Sequence, residues 1–192
     1  MDSVARIVVL FSGTGTNLEN LIRRFHGQRV AGRRIEIVPV TNRPDAGGIA
    51  KAAAYGLESI VVDHRAFETR EAFDRALVER ILPLDPALTV MAGFMRILTP
   101  HFTRRIDAIN LHPSLLPLFK GARAIERSFE SGMKVGGVTV HRVTEELDSG
   151  EILAQRCVPI EEGESLAHFE AKIHAAEYEL LPLVVQRLLE EG

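Results

Sequence analysis

The chain has 192 residues, 46% hydrophobic and 26% charged, with a formal net charge of −3. That is a usual size and composition for one globular domain that buries a core without disulfide staples. The charges are interleaved with no basic block for nucleic acid, no apolar run approaches the ~18 residues that span a membrane, and the lone Cys157 excludes an internal disulfide or a Cys-based zinc site.

Arg6 to Ser12 reads as a fully buried first strand, broken by Gly13-Thr14-Gly15-Thr16-Asn17. Leu18, Leu21, Ile22 and Phe25 then recur at helical spacing. Ile35 to Thr41 is a second strand closed by Asn42-Arg43-Pro44, and an alanine-rich helix follows over about Gly47 to Tyr55. Ser59 to Val62 is a third strand. Thr69 caps a helix running to about Leu82, with Arg70, Glu71 and Asp74 on its wet side. Leu88 to Ala92 and Ile106 to Leu111 are the fourth and fifth strands.

The last third changes style. Gly137 to Val143 and Ile152 to Pro159 look like two strands with little helix between them. Ser165 caps a long final helix with Leu166, Phe169, Ile173, Ala176, Leu180, Leu183, Val184 and Leu188 on one stripe. The pattern predicts a single α/β domain of Rossmann-like type. Its sheet is mostly parallel and twisted, with helices on both faces and a mixed, antiparallel C-terminal edge. No repeat or linker divides the chain, so residues 1–192 read as one domain.

The N-terminal stretch Met1-Asp2-Ser3-Val4-Ala5-Arg6 has no basic region followed by a long apolar core, so no leader is read and a cytoplasmic setting is expected. Cys157, in a strand, is expected to be buried and inert. No His spacing suggests a metal site, and His141 reads as a structural strand residue.

Two constellations carry chemistry. The loop Gly13 to Asn17 joins a strand to a helix, where backbone N–H groups and glycine suit a phosphate. It lacks the Gly-Lys-Ser/Thr ending of a Walker A loop and the third glycine of a dinucleotide fingerprint, since Leu18 stands there. The same loop also serves as a tight strand-to-helix turn with Asn17 near the cap.

The second is Asn110-Leu111-His112-Pro113-Ser114-Leu115-Leu116-Pro117, with Asp148 downstream before Ser149-Gly150. Residues two apart on a strand share a face, so Asn110 and His112 aim at one point. Pro113 stops the strand where open α/β sheets place their ligands. Alone, such an Asn can serve loop amides, such a His can be a turn residue, and Asp148 can belong to a solvated turn. Together an amide, an imidazole and a carboxylate suit an acyl-type transfer, in which a carbonyl becomes an oxyanion and a proton moves. Leu116-Pro117 is a candidate cis bond. Gly93 to Leu98 mixes apolar residues with Arg96, as either a ligand wall or core.

Five segments together resemble the phosphoribosylglycinamide formyltransferase family: SGTGTNL at 12–18, AGFMRIL at 92–98, NLHPSLLP at 110–117, TVH at 139–141 and ELDSG at 146–150. The likeness covers essentially the whole chain. The Asn, HPSLLP and Asp set alone is similar to a wider group of 10-formyltetrahydrofolate enzymes. Among them, the methionyl-tRNA enzyme carries an extra C-terminal domain and the formyltetrahydrofolate hydrolase an extra N-terminal one.

The resemblance implies formyl transfer from 10-formyltetrahydrofolate to a ribosyl amine, with no metal. Asn110, His112 and Asp148 match the catalytic trio. Gly15, Thr16 and Asn17 would hold the substrate phosphate, and Glu177 its ribose hydroxyls. Met95, Arg96, Ile97 and Leu98 would line the pterin pocket, Val143 to Leu147 would lie over the pterin, and Arg70 would meet the glutamate tail. Residues 1–105 would then be a phosphate-binding half and 106–192 a folate-binding and catalytic half. The partners implied are small molecules, with neither nucleic acid nor membrane, acting on a monomer or homodimer. One departure stands out: after Gly121, where many members carry a polar segment with His or Thr, this chain has Ala122-Arg123-Ala124-Ile125.

Overall fold

A computed structural model describes residues 3–192; Met1 and Asp2, the start of the stretch read for a leader, lie outside them. Two units divide the chain, one reaching to Ile109 and taking in Val185–Gly192, the other Asn110–Val184.

The first unit runs β1 (Val4–Phe11), α1 (Thr16–Phe25), β2 (Arg29–Val30), β3 (Arg33–Thr41), α2 (Gly48–Ala54), β4 (Ile60–Val61), α3 (Arg70–Ile81), β5 (Pro86–Met91) and α4 (Pro100–Thr103). β1 pairs in parallel with β3 on one side and β5 on the other. Its Ile7 to Phe11 are all fully buried, which is why it reads as an unbroken apolar run rather than an alternating one. In α1 the buried residues include Leu18, Leu21, Ile22 and Phe25, the stripe that the spacing predicts.

Three expectations are corrected in this unit. β4 spans only Ile60–Val61, within the predicted third strand, and pairs in parallel with β3. β2, which the sequence reading did not contain, forms an antiparallel hairpin with β3 through Ala31 and Gly32, both at positive φ. That is the backbone of a type I′ turn, but Ala in its first central position is no sequence signal for one. Thr69 caps α3 as predicted, its side chain accepting from the Ala72 N–H. Asp74, however, is fully buried rather than on the wet side. It falls inside the stripe Phe73, Leu77, Val78 and Ile81, so the helix rotation carries it inward with them.

β6 (Ala108–His112) contains the boundary: Ala108 and Ile109 belong to the first unit, Asn110 to His112 to the second. The second unit continues with α5 (Ala124–Glu130), β7 (Val135–Arg142), β8 (Ile152–Pro159) and α6 (Leu166–Glu191) as far as Val184. β7 and β8 pair antiparallel, as the change of style in the last third predicts. Buried Phe169 packs against half-buried Phe129, ring centroids 5.8 Å apart, and a side chain on Gly136 would run into Phe169. Ser165 caps α6 by accepting from the His168 N–H.

Two residues expected inside are outside. Cys157 is exposed, because β8 shows one face outward and buries only Val158 around it. Leu183 is also exposed, one step off the buried stripe Leu180, Leu181, Val184 and Val185. The parallel strands around β1 and the antiparallel β7–β8 pair together make the α/β, mixed-sheet fold read from the sequence. Among the described residues no helix is long and apolar enough to cross a membrane.

Candidate active site

The strand end at β6 places the predicted trio. Leu111 and His112 are buried and Asn110 is half-buried, with Asn110 and His112 on one face. Pro113 ends the strand, and the chain turns through Ser114, whose hydroxyl donates to the Leu118 carbonyl at 2.6 Å. The Leu116–Pro117 bond is cis. Thr139 of β7 braces this turn: its hydroxyl donates to the Ser114 carbonyl at 2.7 Å and accepts from the Leu116 N–H at 3.1 Å.

Asp148 meets His112 at 3.5 Å (Oδ2 to Nδ1). Oδ2 also accepts from the Gly121 N–H at 2.8 Å, and Oδ1 stands 3.6 Å from Nε2 of His141. Asp148 holds a left-handed backbone, φ 49°, a conformation that Asp tolerates better than most residues. Gly150 follows closely because a Cβ there would collide with the Arg142 carbonyl. Burial pushes the Asp148 carboxyl up. The close His141 ring, the Gly121 N–H and the charges of His112 and His141 outweigh that and hold it below the usual carboxylate range.

The His112 ring is pinned on its other side. Nε2 is 3.0 Å from the Phe119 carbonyl, which only accepts, so Nε2 carries a proton. With a carboxylate at Nδ1, both ring nitrogens face acceptors.

His141 is the residue that the sequence reading set aside as structural. It is buried in β7, and its Nε2 is 3.1 Å from the Asn110 amide nitrogen. Its Nδ1 lies 2.9 Å from the Arg142 carbonyl and therefore donates to it. Nε2 thus faces two groups at once, the Asn110 amide at 3.1 Å and Asp148 Oδ1 at 3.6 Å. Period-2 alternation in Thr-Val-His, which puts Thr139 and His141 on one face, was the available signal. The Phe119 carbonyl and the Gly121 N–H could not have been found in the same way, because backbone groups carry no residue signature. The segment that departs from the resemblance, after Gly121, thus begins where the backbone touches the trio.

The remaining predicted residues fall in separate places. Val143 is half-buried after β7 and Leu147 is 45% exposed. Glu177 is buried in α6, where its Oε2 is 3.0 Å from Nδ1 of His174. That hydrogen bond raises the His174 imidazole above its ordinary value, against the opposing effect of burial.

In the first unit, Gly15 is the N-cap of α1 with φ 70° and makes no side-chain cap, and a helix start of this kind suits a phosphate. The Gly48 N–H donates to the Gly13 carbonyl at 3.1 Å, and a Cβ on Gly15 would collide with the Gly48 backbone. Asn17 is buried in the first turn. Arg70, at the first position of α3, is exposed. In the segment after β5, Met95 and Ile97 are 77% and 52% exposed, Leu98 is buried, and the Arg96 guanidinium lies 5.6 Å from the Phe73 ring centroid. No group of three or more His, Cys, Asp or Glu side chains that could hold a metal occurs among the described residues.

The sequence pattern of the formyl transferase family matches residues 5–185. Phosphoribosylglycinamide formyltransferase of Escherichia coli (strain K12) is 37% identical over 183 residues, covering 93% of this chain and 84% of that protein. Its namesake in Bacillus subtilis (strain 168) is 33% identical, covering 96% and 94%. Trifunctional purine biosynthetic protein adenosine-3 of Homo sapiens is 36% identical over 95% of this chain, which spans only 18% of that relative's length. The crystal structure of phosphoribosylglycinamide formyltransferase from Campylobacter jejuni superposes with a TM-score of 0.93 at 50% identity, covering 98% of this chain and 99% of that one. With the family pattern matched nearly end to end and relatives above 30% identity spanned almost whole, the chain belongs to the formyl transferase family.

Proposed function

We propose that this chain transfers the formyl group of 10-formyltetrahydrofolate to the amine of N1-(5-phospho-D-ribosyl)glycinamide, giving the N-formyl product and tetrahydrofolate in de novo purine synthesis. The observation that carries this reading is the cluster of Asn110, His112, His141 and Asp148 around one strand end, in a chain of this family. It offers an amide N–H and an imidazole backed by a carboxylate, the parts needed where a formyl carbonyl becomes an oxyanion.

The nucleophile is the substrate's own amine, so no Ser or Cys nucleophile is needed. Its nitrogen attacks the formyl carbon, and the carbonyl π electrons move onto oxygen to give a tetrahedral intermediate. Asn110 donates to that oxygen, and so does His112 once its Nε2–H leaves the Phe119 carbonyl for it. Asp148 favours the charged imidazole. Collapse re-forms the carbonyl and breaks the bond from carbon to N10, which takes up a proton as the attacking nitrogen loses one. His112, directly or through a water, relays the proton.

The other roles follow the family pattern. Gly15, Thr16 and Asn17 hold the phosphate and Glu177 the ribose hydroxyls. Met95, Arg96, Ile97 and Leu98, with Val143 and Leu147, bind the pterin, and Arg70 meets the glutamate tail. The start of α1, led by Gly15 in a left-handed backbone with no side-chain cap, supports the first of these, and the exposed Met95 and Ile97 the third.

The test is consumption of 10-formyltetrahydrofolate with and without the ribosyl amine. Consumption only with the amine is expected. Consumption without it would replace this reading with hydrolysis, and none in either case would leave a binding module.

A further inference from the structure

Residues Gly93 to Thr99, between β5 and α4, carry the two exposed apolar side chains Met95 and Ile97 but have no helix or strand of their own. Such a segment keeps one shape only if its backbone groups are tied elsewhere. Its near end is tied to the end of β1. The Ser12 N–H donates to the Gly93 carbonyl at 3.0 Å, and the Met95 N–H donates to the Ser12 hydroxyl at 2.8 Å.

Its far end is tied to α3. Oδ2 of Asp74 accepts both the Thr99 N–H at 2.5 Å and the Thr99 hydroxyl at 2.7 Å. Phe73, the neighbouring residue of α3, stacks on Phe94 with ring centroids 6.5 Å apart and lies under the Arg96 guanidinium. Asp74 is fully buried, and its second oxygen, Oδ1, has no hydrogen-bond partner among the described residues. A half-satisfied buried carboxyl is a poor core residue. Burial accordingly pushes it up from its ordinary value, with the two Thr99 donors opposing. Its chemistry is therefore aimed at one target, the residue where the exposed segment ends.

We infer that Asp74 is a positioning residue for folate binding: by fixing Thr99 it sets the shape in which Met95 and Ile97 are presented to the pterin. The inference rests on the proposed function, and specifically on 95–98 lining the pterin site. It gives Asp74 a selective effect. Loss of the anchor lets the segment sample other shapes, so folate binding carries an ordering cost while the chemistry, once folate is bound, is unchanged.

The experiment compares wild type, Asp74→Ala, Asp74→Asn and Thr99→Val by thermal unfolding and by steady-state kinetics with each substrate varied in turn. Asp74→Ala is expected to raise KM for 10-formyltetrahydrofolate by about 10-fold or more, with kcat and KM for the ribosyl amine within about 3-fold of wild type. Asp74→Asn retains an acceptor for Thr99 and removes a buried charge. It is expected to restore most of the folate affinity without lowering Tm. Thr99→Val loses only the hydroxyl and is expected to show a smaller rise in the same parameter.

A folate KM within about 2-fold of wild type in folded Asp74→Ala, or equal rises for both substrates, would overturn the inference. Should Asp74→Ala not fold, a Thr99→Val enzyme with unchanged folate KM would overturn it equally. Wild type that consumes no folate in the presence of the amine would instead reject the proposed function.

Discussion

Nδ1 of His112 stands 3.5 Å from Oδ2 of Asp148, while Nε2 of the same ring donates to the Phe119 carbonyl at 3.0 Å. Nε2 thus sits on an acceptor that an oxyanion or a departing N10 can displace, while Asp148 holds the ring from its other side. Asp148→Asn keeps the shape and removes the charge. Turnover is expected to fall by about 10²-fold with both KM values within about 3-fold, because the lost help is needed chiefly in the transition state. Steady-state kinetics on the folded variant check this, and near-normal kcat would take Asp148 out of the proton pathway.

The Asn110 amide is oriented by His141, 3.1 Å away. Asn110→Ala is expected to lower kcat by on the order of 10²–10³ with the fold kept, the cost of one oxyanion donor. His141→Ala should cost less by itself, since the amide remains but is no longer aimed. The decisive measurement is the double variant. If His141 works through Asn110, its removal adds almost nothing once Asn110 is Ala, whereas independent roles would multiply.

The legibility of this chain follows from what a side chain can announce. β1 was readable because burial on both faces leaves an unbroken apolar run from Ile7 to Phe11, and α1 because Leu18, Leu21, Ile22 and Phe25 repeat at helical spacing. Asn110 and His112 were readable because the strand period forces them onto one face. Asp148, far along the chain, needed the resemblance to join them. The pairing of His141 with Asn110 was not legible because a His in a strand does not name its partner, and Asp74 was placed outside because one polar residue in an apolar stripe looks like surface. The Phe119 and Gly121 contacts belong to the backbone and could not be read at all.

The loop before α1 distinguishes its two outer glycines. Gly15 has φ 70° and its Cβ position is filled by the Gly48 backbone, whereas Gly13 has nothing within 4 Å of its Cβ position. Gly13→Ala is therefore expected to change stability by no more than about 0.5 kcal/mol. Gly15→Ala adds a left-handed backbone penalty of about 1–2 kcal/mol to a collision, so a larger loss follows. Phosphate titration should read the same contrast. Amide signals of 13–18 are expected to shift at millimolar phosphate in wild type and Gly13→Ala but not in folded Gly15→Ala. No shift in wild type would remove the loop from substrate binding.

Asp148 also predicts an acid response. Burial raises its carboxyl, but the close His141 ring, the Gly121 N–H and the two imidazole charges prevail, so its folded value lies below the usual range. A carboxyl depressed on folding adds stability that is complete above the unfolded value of about 3.9 and disappears as pH falls through the folded value. Asp148→Asn lacks this contribution at every pH. At pH 7 the variant should be less stable by about 1.5–3 kcal/mol, the range for hydrogen bonds to a charged group. Between about pH 4 and the folded value the two proteins should converge, because wild type protonates Asp148 and loses what the variant never had. Urea unfolding at a series of pH values measures the difference directly. A gap that stays constant into acid would mean that Asp148 stabilises by shape, through its turn with Ser149 and Gly150, and not by charge.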